Sequence, residues 1–167
     1  MYEVDDLDAV IEITEAPVPC GGAPLPIVLA NDHGVVLSYW LPEVPPPYKS
    51  RGVESCAIVS FVRPAVHLLG QPNDEAIEGH PLWGRGLHIY GVFRVLNSSL
   101  IRSLEKMNSV HPRHNPDQYT SLSHYVFTFH DTCFECVAQS LSAESVEVQE
   151  DAERIAKMAE RLAARLG

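Results

Sequence analysis

The chain has 167 residues, enough for one domain with a single substantial core. Hydrophobic residues make up 46% and charged residues 20%, a globular composition that excludes a disordered chain. The net charge of −10, from 12 Lys and Arg against 22 Asp and Glu, argues against nucleic acid and against an anionic membrane surface as partners.

A basic protein or a cation suits that charge better, so the expected partner is a protein or a small molecule. No apolar run approaches the ~20 residues of a bilayer span. The start, "MYEVDDLDAVIEIT", is acidic and lacks the basic and apolar regions of a signal peptide, so the expected compartment is cytoplasmic. In that setting Cys20, Cys56, Cys133 and Cys136 are expected to be thiols, metal ligands or catalytic groups before disulfides.

In chain order, "AVIEIT" (9–14) reads as a strand and "EAPVPCGGAP" as a loop. "LPIVLANDHGVVLSYWL" (25–41) reads as a hairpin around a four-residue loop, "NDHG". "PEVPPPYKSRG" (42–52) is an exposed loop, stiffened by its proline triplet. Segments 55–63 and 87–96 are strands, and the long loop 70–86 between them holds one helical turn at "NDEAIE". A helix is expected over 97–108, capped by Asn97 or Ser98, with Leu100, Ile101, Leu104 and Met107 on one face. Residues 111–123 form a polar loop. A second helix spans 148–167, with Val148, Ala152, Ile155, Ala159, Leu162 and Leu166 as a narrow apolar stripe. That stripe packs on the domain or on a second copy of itself.

These elements define an α+β class: a single domain of mostly antiparallel, curved β-sheet with one helix packed on it and a C-terminal helix. Residues 1–145 form the core domain. Residues 146–167 are either part of it or the oligomerisation element of a homodimer.

"HYVFTFHDTCFECVA" (124–138) reads as a hairpin with an even-numbered loop, because only that parity gives one wholly apolar face. Phe129 then faces Phe134 and Phe127 faces Cys136. Cys133 and Cys136, three apart on a strand, point to opposite faces, so their CxxC spacing is coincidental. Thr128, His130, Asp131, Cys133 and Glu135 gather on the polar side. Cys133 with His130 as base and Glu135 nearby is a candidate nucleophilic site. His130, Asp131 and Glu135 are a candidate set for a divalent metal. A half-solvated hairpin face with no chemistry accounts for the same residues.

The second candidate region lies in the loops. His80, Trp83, Arg85, His88, Tyr90 and Arg94 are candidate pocket residues. His111 and His114, with His130 and Asp131, are candidate metal ligands. If the 97–108 helix folds back over the sheet, His80, His111, His114, Asp74, Glu75 and Asp117 meet at one end. The metalloprotease H-E-x-x-H, a phosphate loop and G-x-S-x-G are absent. Two functions follow. One is a binding or accessory protein with a groove lined by loops 42–52, 70–86 and 110–122. The alternative is a metal-dependent hydrolase or lyase, or a Cys133/His130 enzyme.

The segments "GAPLP" (22–26), "GHPLWGRGL" (79–87), "LNSSLIRSLEKMN" (96–108), "VHPRHNP" (110–116) and "HYVFTFHDTCFECVA" resemble a family of small bacterial proteins of unassigned function. The resemblance covers residues 20 to 140 or so. It implies a free-standing bacterial domain of this size, and no substrate, cofactor or catalytic residue.

Overall fold

The strands that carry the apolar runs are buried on both faces, and this decides the architecture. The computed structural model describes residues 2–43 and 52–164. Its strands are β1 (Ala9–Glu12), β2 (Ile27–Asn31), β3 (Gly34–Trp40), β4 (Glu54–Val62), β5 (Val66–Gly70), β6 (Val92–Leu96), β7 (Ser123–Thr128), β8 (Cys133–Ala138) and β9 (Ser140–Val148). The helices are α1 (Ser99–Asn108), α2 (Asp117–Thr120) and α3 (Asp151–Ala163), with a 3-10 helix at Asp74–Gly79. The α+β class and the antiparallel pairing are as expected. The strands, however, divide between two sheets, ordered β1-β6-β7-β8-β5 and β2-β3-β4-β9.

The two sheets share an aromatic core. Phe61 of β4 packs on Tyr125, Phe127 and Phe134, and Tyr39 of β3 packs on Phe127 and Phe129, with ring centroids 5.4–6.1 Å apart. Val35, Leu37, Val59 and Cys136 fill the space around them. Each sheet has a second apolar face that must also be covered. On the four-stranded sheet, Val36, Cys56, Ile58 and Val148 meet Met158 and Leu162 of α3. On the five-stranded sheet, Phe93, Val95, Val126 and Cys133 meet Ile77, Leu82 and Leu87 of the 74–87 segment. The C-terminal helix is therefore part of the domain.

Several expectations change in detail. The hairpin at residues 27–40 turns on two residues, because Asn31 pairs with Gly34 and its side-chain oxygen accepts both the His33 and Gly34 amides. The strand expected at 87–96 begins only at Val92, since Tyr90 has a left-handed backbone with φ of 57°. Helix α1 starts after Ser98, whose hydroxyl accepts the Ile101 amide. In α3 the buried residues are Arg154 and Met158, while Ile155 of the expected stripe is 42% exposed and Ala152 and Ala159 are also outside. Residues 44–51 of the expected 42–52 loop, and Leu166 of the stripe, lie outside the described residues. Among the described residues, no helix is long and apolar enough to cross a membrane.

The 74–87 cover is fastened to β1 at its end. Val10 donates its amide to the Arg85 carbonyl at 2.9 Å. Gly86 has φ of 111°, and a Cβ there would meet the Val10 carbonyl oxygen at 2.5 Å. Only glycine allows that approach without a shift.

Phe127 is fully buried in the shared core. Phe127→Ala should cost about 3–5 kcal/mol of unfolding free energy in a urea titration, as aromatic core truncations do. A loss under about 1 kcal/mol would show that the two sheets do not depend on this contact.

Candidate functional site

Period-two alternation carries His124 and Glu135 to the outer face of the five-stranded sheet, beneath its cover. Glu135 sits across from Val126, with His124 its diagonal neighbour. The Tyr2 hydroxyl donates to Glu135 Oε2 at 2.6 Å, and His124 Nε2 lies 2.8 Å from the same oxygen. His80 Nε2 lies 3.5 Å from Oε1. His80 Nδ1 accepts the Leu82 amide at 3.2 Å, which leaves Nε2 to carry the hydrogen that faces Glu135. His124 Nδ1 is 2.9 Å from Ser98 Oγ. Burial pushes the Glu135 carboxyl up, but hydrogen bonds from His124, His80 and Tyr2 outweigh it and hold the group below the usual carboxylate range. Burial, with Glu135 beside it, pushes the Tyr2 hydroxyl up.

A second cluster lies at the β7–β8 tip. His130 Nδ1 is 2.8 Å from Asp74 Oδ2, and Tyr90 donates its hydroxyl to the same oxygen. Asp74 belongs to the 3-10 helix, whose first amide donates to the His130 carbonyl at 2.9 Å. The Tyr90 hydrogen bond, followed by His130, holds the Asp74 carboxyl below its ordinary value. Asp74 in turn pushes Tyr90 up to about 12 and raises His130. The imidazole is about half exposed, and Asp74 Oδ1 is buried without a partner.

Beside this tip is a cavity of about 370 Å³ between the hairpin, the start of β2 and the N-terminal turn of α3. Leu25, Ile27 and Leu69 supply apolar wall, and Asp131, Thr132, Asp151 and Arg154 supply polar groups. Arg154 is only 1% exposed. Its guanidinium stacks 4.4 Å from the Trp40 ring centroid and gives one hydrogen bond, from Nη2 to the Leu25 carbonyl. Asp151 Oδ1 lies 3.2 Å from Nε without the alignment of a hydrogen bond. Arg154 Nη1 and the buried Thr132 hydroxyl also have no partner.

The residues singled out from sequence are scattered by this geometry. Cys133, His130 and Glu135 do not form one unit. The β7–β8 register is two residues from the expected one, so Cys133 pairs with Thr128 and His130 sits in the turn. The Cys133 thiol donates to the Pro72 carbonyl at 3.3 Å, and burial, aided by Glu135, pushes its pKa to about 12. A thiol held protonated is a poor nucleophile. Cys136 lies in the shared core on the opposite face, and none of the four cysteines is in a disulfide.

The expected pocket wall also separates. His80 is buried against Glu135, Trp83 is on the surface, and Tyr90 belongs to the Asp74 cluster. Arg85 pairs with Asp6, His88 lies 3.6 Å from Glu12, and Arg94 pairs with Glu15. His111 accepts the Arg113 amide and His114 bonds Glu105, while His130 bonds Asp74 and Asp131 lines the cavity. Among the described residues, no group of three His, Cys, Asp or Glu side chains is placed to hold a metal ion.

Ser98, His124, Tyr2 and Arg154 are the additions, whereas Asp74, expected beside His80, His111 and His114, meets His130 and Tyr90 instead. His124 carried a legible signal, a polar residue in phase with Val126 on the strand's second face. Tyr2 and Arg154 carried none. Comparisons with protein-family models, curated proteins and solved structures find no match.

Two outcomes test these clusters. Glu135→Leu should cost about 3–5 kcal/mol, because it strands the His124 and Tyr2 donors. The lowered Glu135 pKa means that this contribution is present above about pH 4.3 and is lost as pH falls through the folded value. The difference between wild type and variant should therefore shrink in acid, measured by denaturant titration across pH. The raised His130 midpoint should lie above about 6.5 by NMR. Asp74→Asn should lower it, and an unchanged midpoint would show that the 2.8 Å contact does not exist in solution.

Proposed function

We propose that the chain is a binding protein that takes a small molecule with a carboxylate head and an apolar body in the cavity beside Thr132 and Arg154. The observation that carries this reading is the buried Arg154 guanidinium, which stacks on Trp40 yet leaves Nη1 and Nε without a hydrogen bond. A buried cation is costly unless its donors are served, and a carboxylate matches the guanidinium fork. The unpartnered Thr132 hydroxyl adds a third donor. Leu25, Ile27 and Leu69 suit an aliphatic body, and the volume fits a small ligand. Asp131 and Asp151 on the same lining disfavour a phosphate and suit an ammonium group. The combination describes an apolar amino acid. In this reading the groove is the cavity at the β7–β8 tip and α3 rather than one lined by the 110–122 loop.

Calorimetry and thermal unfolding with leucine, leucine amide and N-acetylleucine test the reading. Leucine should bind and raise the unfolding temperature, with about 2.7 kcal/mol of stabilisation at a hundredfold excess over Kd. The amide should bind more weakly, and Thr132→Val should weaken leucine by up to about tenfold. No heat and no thermal shift from any of the three would end this proposal.

A further inference from the structure

The relay behind Glu135 has the order of a nucleophile, a base and a group that orients the base. Ser98 Oγ is 2.9 Å from His124 Nδ1, and His124 Nε2 is 2.8 Å from Glu135 Oε2. Ser98 stands where β6 gives way to α1, a strand–turn–helix position that presents a side chain beside helix amides. Capping α1 needs only the Ser98 oxygen, which accepts the Ile101 amide at 3.3 Å. The imidazole behind that hydroxyl and the carboxylate behind the imidazole go beyond a cap.

The neighbouring groups complete the arrangement. Asp8 Oδ1 accepts the Ser99 amide at 2.7 Å. That amide follows Ser98 directly, which is the place of an oxyanion donor. A carboxylate oxygen now fills it. The Ser99 hydroxyl beside it is buried and has no partner. Tyr2 closes the other end, edge-on to His124 with centroids 5.7 Å apart, and donates to Glu135. Residues 2–8 thus lie over the whole relay. From outside the relay they are fastened by Val4, partly buried against the apolar cluster of the cover, and by ion pairs, Asp5 to Arg102 at 2.5 Å and Asp6 to Arg85 at 2.9 Å, with Asp5 half exposed and Asp6 fully so. Exposed pairs of this kind hold a segment weakly.

We propose that Ser98, His124 and Glu135 form a serine-hydrolase centre for small carboxylic esters, closed by residues 2–8 and opened when that segment lifts. Ser98 Oγ attacks the ester carbonyl carbon as its proton passes to His124 Nδ1. The carbonyl oxygen becomes an oxyanion on the Ser99 amide that Asp8 has vacated. The C–O bond to the alcohol breaks, and the departing oxygen takes the proton from Nδ1. Water then attacks the acyl-Ser98 by the same route, giving the carboxylic acid and returning the proton to Oγ. Glu135 is the positioning residue that holds His124 by Nε2 and balances its charge while Nδ1 is protonated. This site is independent of the Arg154 cavity.

A fluorophosphonate probe reads this centre without a known substrate, since it phosphonylates activated serines. The full chain is treated with the probe and the adduct is located by peptide mass spectrometry. Wild type should label slowly at Ser98. Tyr2→Ala and Asp8→Ala should raise the rate about tenfold or more by populating the open form. Adding His124→Gln should abolish the gain, which a merely exposed serine would not show. If the opening variants do not fold, wild type is labelled in urea below its unfolding midpoint. Ser98 labelling that rises before global unfolding supports the proposal. Absence of a Ser98 adduct in folded opening variants, or in sub-denaturing urea where those do not fold, overturns it.

Discussion

Double burial of β3, β4, β7 and β8 is the constraint on which the rest of the molecule depends. One face of each sheet is served by the other sheet. The remaining two faces need covers of their own, and the chain supplies them from different places. Helix α3 closes the four-stranded sheet with Met158 and Leu162. The 74–87 segment, with residues 2–8, closes the five-stranded one. Every polar group of interest lies at a seam between a cover and its sheet.

The two seams treat charge differently. Under the N-terminal cover, the Glu135 carboxylate has three donors converging on it, from residues 2, 80 and 124. Its burial is offset, and the network joins segments far apart in sequence. Under α3, Arg154 has a ring, a single carbonyl and the Asp151 carboxylate 3.2 Å from Nε, but only the carbonyl is hydrogen-bonded. The cost of burying a charge runs to several kcal/mol when its hydrogen bonds are unmade. A fully served carboxylate needs no ligand to be stable. The under-served guanidinium is the group that the proposed carboxylate ligand serves.

Much of the architecture was legible from residue patterns. The apolar runs at residues 34–40 and 54–62 gave strands because aliphatic and aromatic side chains fill both faces. The parity of the β7–β8 hairpin followed from its one aromatic face, which placed Cys136 in the core and Cys133 opposite. Parity does not set the register itself, and a shift by two moved His130 from a strand into a turn. Strand β9 was hidden for a specific reason. Leu141 and Ala143 face the shared core, whereas Val146 and Val148 face α3, so its apolar residues change sides midway. Strand β5 is short, at the sheet edge and mostly exposed. The expected stripe on α3 followed alanines and isoleucine, whereas the buried face is built on Arg154, whose stem and stacked head behave as apolar surface. The site was less legible than the fold. Its pairs are 56 residues apart for His130 and Asp74 and 133 for Tyr2 and Glu135, and no local pattern reports such contacts.

The unlike fastening of the two covers has a consequence for the medium around the protein. Residues 2–8 carry Asp5, Asp6 and Asp8, met by Arg102 and Arg85 on the surface. The screening length shortens from about 10 Å at 0.1 M salt to about 3 Å at 1 M. Rising ionic strength therefore slackens the N-terminal cover. Helix α3 is seated by Met158 and Leu162, and that apolar contact does not weaken with salt. Salt also reaches the exposed Arg161–Glu144 pair between α3 and β9, so the two sides of the sandwich differ in how much of their fastening is ionic.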